Sequence, residues 1–166
     1  MTMLENVELL RSNLIKTVNS ECDKMREAIL ELGLTQEHEK KAFETLYPLS
    51  GDSGVFKGKK PVSVYFSESE RINVTTWKQV VEVILKEVTN NNHYLGELYK
   101  LSGRISGKQR VLLDDNSEKM RRPLKIKDNL YMETHYDTES LLRILTARLL
   151  SAIGYDFSHI QISVLV

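Results

Sequence analysis

The sequence predicts an α+β fold: an N-terminal helical hairpin, then a small, largely antiparallel sheet packed with two to three helices. Three observations lead there. Apolar residues recur at helical spacing through the first third of the chain. The period changes to strand-like alternation after a glycine-containing stretch near residue 52. From there the order is strand, strand, helix, strands, helix, strand. Residues 1–50 are therefore read as a helical, coiled-coil-like segment and 55–166 as an α+β domain.

In the first segment Ile15, Val18, Cys22, Met25, Ile29 and Leu32 follow at alternating steps of three and four, the spacing of a coiled-coil seam. Val7, Leu10 and Leu14 extend the apolar surface on a slightly rotated line. So short a seam is marginal alone. It is expected to pack in an intramolecular hairpin and to support a homo-oligomer through Ile15, Val18, Met25, Ile29 and Leu32. Gly33 stops this helix, and Thr35 caps a second over 36–47 that buries Ala42, Phe43, Leu46 and Tyr47 and ends before Pro48. Ser50-Gly51-Asp52-Ser53-Gly54 reads as a hinge.

Beyond the hinge, PVSVYF (61–66) and RINV (71–74) alternate like strands and are joined by a polar turn. Thr76 with Gln79 three residues later is a capping-box pattern. Trp77, Val80, Val81, Ile84, Leu85 and Val88 then mark one face of an amphipathic helix that Asn90 to Asn92 should end. A shorter helix near 93–101 turns Tyr94, Leu95, Leu98 and Leu101 inward, and Val111 to Leu113 suggests a short strand. LKIKDNLYMETHY (124–136) reads as a hairpin around Asp128-Asn129, with Leu130 and Met132 on one face and Tyr131 and Glu133 on the other. Asp137 or Thr138 caps a last helix carrying Leu141, Leu142, Leu145, Leu149, Ala152 and Ile153. Gly154 ends it, and IQISVLV (160–166) closes the chain as a strand.

The chain has 23 basic and 23 acidic residues among 166, yet the charge is segregated. Residues 100–127 hold nine cations against three anions. On a neutral protein this points to one face that attracts a polyanion. No apolar run approaches the roughly 20 residues of a membrane span. The acidic, interrupted N-terminus does not suit a secretory signal, so a cytoplasmic protein without a membrane partner is expected. The single cysteine, Cys22, excludes an internal disulfide and a zinc site built on several thiolates.

Within the basic segment, Ser102-Gly103-Arg104 and Ser106-Gly107-Lys108 form a near-repeat. Glycines let a backbone approach a phosphate, and neighbouring Arg and Lys supply charge. It is not a Walker loop: the glycines are too close, Gln109 stands where Ser or Thr would bind magnesium, and a helix precedes it instead of a strand. A charged, solvated connection is the alternative reading. Arg121, Arg122, Lys125 and Lys127 extend the charge, and the absence of aromatic residues from 100 to 127 disfavours base stacking. Backbone contact without base readout follows. About four phosphates would give a log–log salt slope of roughly −3 to −4 on duplex DNA.

Glu133, His135 and Asp137, spaced by two, would project from one side of a strand and could hold a divalent metal with Asp114 or Asp115; an exposed edge-strand face with Asp137 as a helix cap is the alternative. His38, His93 and His159 are scattered, Cys22 sits on the apolar stripe as a packed thiol, and no serine or cysteine has triad context. No cofactor is expected.

The features KGKKPVSVYF, TTWKQVVEVILKEV, LSGR, MRRPLKIKDNLYMETHYDTESL and the closing AIGYD resemble a small prokaryotic domain associated with restriction and mobile-element conflict proteins, over Lys59 to Val164. The resemblance implies a defence, phage or mobile-element setting and no particular reaction. In those relatives the segment after the last hairpin strand reads like NLSANSI; here it is HYDTESL.

The expected function is a non-enzymatic accessory module that grips a nucleic-acid backbone, DNA in the first instance, through Arg104, Lys108, Arg110, Lys119, Arg121, Arg122 and Lys125. An inhibitor or adaptor that meets a protein of a defence or counter-defence pathway is the main alternative. A metal-dependent nuclease using Asp114, Glu133 and His135 is a further one.

Overall fold

The structure is a computed structural model and describes residues 2–31, 43–52 and 54–165. The chain divides into two compact units, Met1–Lys41 and Ala42–Val166. The first contains helix α1, Met3–Glu31. Its apolar residues Val7, Leu10, Leu14, Ile15, Val18 and Met25 are all exposed, as is Cys22. Cys22 is therefore not the packed thiol the stripe suggested. The side chain of Ile29, and all of Leu32, lie outside what is described, as does most of the second helix expected over 36–47.

The described end of that expected helix is a strand. Glu44–Pro48 forms β1, which pairs antiparallel with the C-terminal strand β7, Gln161–Leu165, so that Leu46 faces Ser163 and Pro48 faces Gln161. Residues 44–48 thus belong to the sheet of the second unit, and the boundary lies before them and not near residue 52. Apolar residues at 42, 43, 46 and 47 fit a helix face locally, but Thr45 and Tyr47 suit a strand, and an edge strand tolerates Pro48. The pairing partner is more than a hundred residues away in sequence.

The second unit is α+β and contains two antiparallel sheets. Strands β2 (Lys60–Tyr65) and β3 (Arg71–Asn73) complete the first, in the order β1-β7-β2-β3, with a bulge between Pro61 and Ser63. At its centre the buried hydroxyls of Ser63 and Ser163 share a hydrogen bond of 2.6 Å, which removes the desolvation cost that each would carry alone. Helix α2, Trp77–Thr89, starts at the predicted capping box: Thr76 accepts from the Gln79 N–H, and the Gln79 side chain reaches back. Its buried residues Val80, Val81, Ile84, Leu85 and Val88 pack against β2, against β5 (Pro123–Lys127) of the second sheet and against helix α3, Asn92–Leu101. Burial of each such side chain contributes about 1.5–3 kcal/mol.

The second sheet has the order β4-β6-β5, with β4 Leu113–Asp114, β5 Pro123–Lys127 and β6 Leu130–Glu133. The β5–β6 turn falls where expected, with Asn129 in the left-handed region at φ 53°. Asp137 caps helix α4, Thr138–Arg143, by accepting from the Ser140 N–H. The helix continues over Ile144–Leu150 with the wider i→i+5 bonding of a π-helix and ends near Gly154, at φ 69°. Leu141, Leu142, Leu145, Leu149 and Leu150 are buried along this last helix. Among the described residues, no helix is long and apolar enough to cross a membrane.

Candidate nucleic-acid interface

The antiparallel register brings three chain segments to one end of the second sheet. Pro123, at the start of β5, pairs with Glu133 at the end of β6, and Leu113, at the start of β4, pairs with Met132. Arg121 and Arg122 lead into β5. Residues 105–112 lead into β4 as a small hairpin: Leu112 N–H donates to the Ile105 carbonyl, Ser106 bridges Val111, and Gly107 N–H donates to the Arg110 carbonyl at 2.7 Å. His135 leaves β6. Five of the residues that drew attention in the sequence therefore share this end: Lys108, Arg110, Arg121, Arg122 and His135.

Glu133 organises them. It lies in the central strand with its side chain about 1% exposed, not on the outward edge face that alternation suggested. Its carboxylate accepts the backbone N–H groups of Arg121, Arg122 at 2.9 Å and His135 at 2.9 Å, and the Arg110 guanidinium stands 3.8 Å away. Burial pushes the carboxyl pKa up, but the three amides and Arg110 outweigh it and hold it below the usual range. A buried carboxylate thus fixes the backbone of two arginines whose side chains are exposed. Thr134 reinforces this, its N–H and hydroxyl both donating to the Arg122 carbonyl.

The surroundings of His135 disfavour its protonated form. Desolvation lowers its pKa first, and Arg121, Arg122 and Arg110 lower it further against the opposing pull of Glu133. Arg148, on the π-helical turn and outside the basic segment, donates to the Ser106 carbonyl at 3.3 Å and ties the hairpin to the last helix. Nothing in the local sequence singles out Arg148, because its partner is 42 residues away.

The remaining cations are placed differently. Lys119 binds the buried Asp114 at 3.0 Å, and Lys125 pairs with Asp128 at 3.0 Å near the β5–β6 turn, toward the other end of the ribbon. Asp114 is pushed up by burial, but the Asn116 amide and Lys119 among others hold it below its ordinary value. Lys119 is therefore held by a buried carboxylate, and Arg110 stands beside another, whereas Lys125 makes an exposed pair within the β5–β6 turn. Arg104, Lys108, Arg121 and Arg122 make no ion pair among the described residues.

The glycine near-repeat is structural. Gly103 N–H donates to the Leu113 carbonyl at 2.8 Å and Gly107 N–H to Arg110, so neither amide is left to cradle a phosphate. Gly103 adopts φ 72°, and a Cβ on Gly107 would come within 2.9 Å of the Tyr136 hydroxyl. A side chain at Gly103 would be strained, and one at Gly107 would have to displace the Tyr136 hydroxyl.

The acidic trio is dispersed as well. Glu133 faces inward onto amides, His135 sits among cations and Asp137 caps α4. Among the described residues no cluster of His, Cys, Asp or Glu could hold a metal ion. No family model, curated protein or solved structure matches this chain.

Proposed function

We propose that the chain is an accessory module that binds the backbone of a nucleic acid, duplex DNA in the first instance, at the end of the β4-β6-β5 sheet. One observation carries the reading: the buried Glu133 carboxylate holds the backbone of Arg121 and Arg122 before β5 and stands 3.8 Å from the Arg110 guanidinium of the hairpin, so arginines from two separate segments meet at one end of the sheet. Such a concentration of donors suits phosphate oxygens, which guanidinium meets in bidentate fashion. Lys108, at the hairpin turn, and Arg104 would add charge at the margin. Lys119, held at 3.0 Å by the buried Asp114, and Lys125, paired with Asp128 away from this end, would contribute less.

The patch offers charge without an exposed aromatic platform, so backbone contact and tolerance of sequence follow. The defence, phage or mobile-element setting rests on the resemblance over Lys59 to Val164 and stays part of the proposal.

The exposed apolar stripe of α1 supports self-association, since a row of uncovered Val, Leu, Ile and Met side chains is a favourable surface for a second helix. Two copies would present two basic patches to one polyanion and raise its avidity.

Fluorescence anisotropy with a short duplex at low and moderate salt tests the reading. Charge reversal at Arg121 and Arg122 is expected to abolish binding while the circular dichroism spectrum stays unchanged. A wild-type protein that ignores DNA and RNA at low salt, yet forms a stoichiometric complex with an acidic protein, would replace this reading with the adaptor or inhibitor one.

A further inference from the structure

Along α1, Val7, Leu10, Leu14, Val18 and Met25 are all exposed, and at about 100° per residue they fall within about 60° of one line. Two charged residues share that stripe, Arg11 toward one end and Glu21 toward the other, each within about 40° of the line. Their ion-pair partners among the described residues lie on the same helix. Arg11 stands 3.9 Å from Glu8, Glu21 stands 2.7 Å from Lys24, and all four side chains are exposed. Exposed pairs of this kind contribute little, so both side chains are free to change partner.

A charge within an apolar stripe selects what can lie against it. In a parallel, in-register pair of α1 helices, Arg11 would meet Arg11 of the second copy and Glu21 would meet Glu21. Reversal of one helix removes both conflicts. When the pair is centred on Lys16, residues equally far before and after Lys16 come level with each other. Arg11 then lies level with Glu21 of the second copy, Val7 with Met25, Leu14 with Val18 and Leu10 with Cys22. Opposite charges meet, and apolar side chains meet apolar side chains or the thiol. Lys16 is also adjacent to Thr17, the midpoint of Met3–Glu31, so this register overlaps nearly the whole helix.

We infer that α1 pairs with α1 of a second copy in antiparallel orientation, centred on Lys16. The inference rests on the self-association reading of this stripe and adds the direction and register of the partner. Two-fold symmetry forms the Arg11–Glu21 pair twice, once on each side of the centre. The opposed helix dipoles favour the same arrangement. Val7, Leu14, Val18 and Met25 leave water along the seam, which drives the association. The C-terminal ends of the two helices, at Glu31, then lie about 45 Å apart.

Disulfide trapping on the full chain tests direction and register, with Cys22→Ser as the background and sedimentation analysis as the check on association itself. Val7 and Met25 are about 27 Å apart on one helix, so no disulfide joins them within a chain. Val7→Cys alone and Met25→Cys alone are expected to give little covalent dimer on mild oxidation. An equimolar mixture of the two, after subunit exchange, should give a covalent heterodimer. In a second arm, Arg11→Glu should weaken self-association about tenfold, and Arg11→Glu combined with Glu21→Arg should restore it. Covalent dimer from either single variant alone, or a dimer in sedimentation that no combination traps, would overturn the antiparallel assignment while the self-association reading stands. A Cys22→Ser protein that is monomeric at high micromolar concentration would remove the self-association reading, and this inference with it.

Discussion

The Arg122 backbone N–H donates to Glu133 Oε1 at 2.9 Å, and the same oxygen accepts the His135 N–H at 2.9 Å. One buried carboxylate thus locks the approach to β5 against the exit from β6. Three amides and the neighbouring Arg110 guanidinium surround it, and two of those amides, from Arg121 and Arg122, fix the backbone of two exposed arginines.

Removal of that carboxylate should loosen both segments. Glu133→Ala strands three backbone N–H groups in a site about 1% exposed and is expected to cost about 3 kcal/mol or more, whereas Glu133→Gln, which keeps one acceptor oxygen, should cost less. Urea denaturation checks the order. Equal, small effects from both variants would show that the amides find water instead.

Acid should destabilise the second unit through these same carboxylates. Glu133 and Asp114 are held below their ordinary values in the folded state, so the unfolded chain binds more protons as pH falls through the usual carboxylate range. Their stabilisation is present above that range and disappears as pH drops through the lower, folded values. His135 acts in the same direction at higher pH, because its depressed pKa favours proton uptake on unfolding. Denaturant midpoints measured across acid pH should fall steadily, and Asp114→Asn should flatten the acid limb. A midpoint that rises on acidification contradicts the assignment.

Salt dependence separates the gathered arginines from the paired lysines. If Arg110, Arg121 and Arg122 each neutralise one phosphate, the log–log slope on duplex DNA is about −3, at the shallow end of the sequence-based range. Arg121→Glu with Arg122→Glu should remove most of it, while Lys125→Glu, which only frees Asp128 from its partner, should change affinity little. Comparable losses from the two substitutions would place the contact along the whole ribbon.

Proton uptake should accompany binding. His135 is kept neutral by burial and by the surrounding guanidinium groups; phosphates that screen them would raise its pKa. Bound protein then holds more protons than free protein, so affinity strengthens as pH falls through the ordinary histidine range. The limit is about tenfold for each unit by which binding shifts the pKa. His135→Asn should make the affinity independent of pH there. A pH profile unchanged by that substitution would move the phosphates away from the imidazole.

Self-association should follow the α1 stripe. Leu14→Glu with Val18→Glu places charge on its exposed apolar face and is expected to convert an oligomer into a monomer in sedimentation analysis. If the unaltered protein is already monomeric at micromolar concentration, the stripe has another use.

Local pattern determined much of this fold. The capping box at Thr76 and Gln79, the apolar face from Val80 to Val88, the turn at Asn129 and the Asp137 cap all stand where neighbouring residues require them, because each depends on partners within a few positions. Charge segregation into 100–127 was equally legible. Tertiary structure decided the rest. Only pairing with β7 makes Glu44–Pro48 a strand, and only a place in the central strand turns Glu133 inward. Only the folded core brings Arg148 to the Ser106 carbonyl and the backbone of Arg121 and Arg122 to the Glu133 carboxylate. The physical reason is range: capping and amphipathic periodicity are settled within a turn or two of chain, whereas strand partners and buried charges are chosen by residues far away in sequence, whose contribution appears only once the chain has closed.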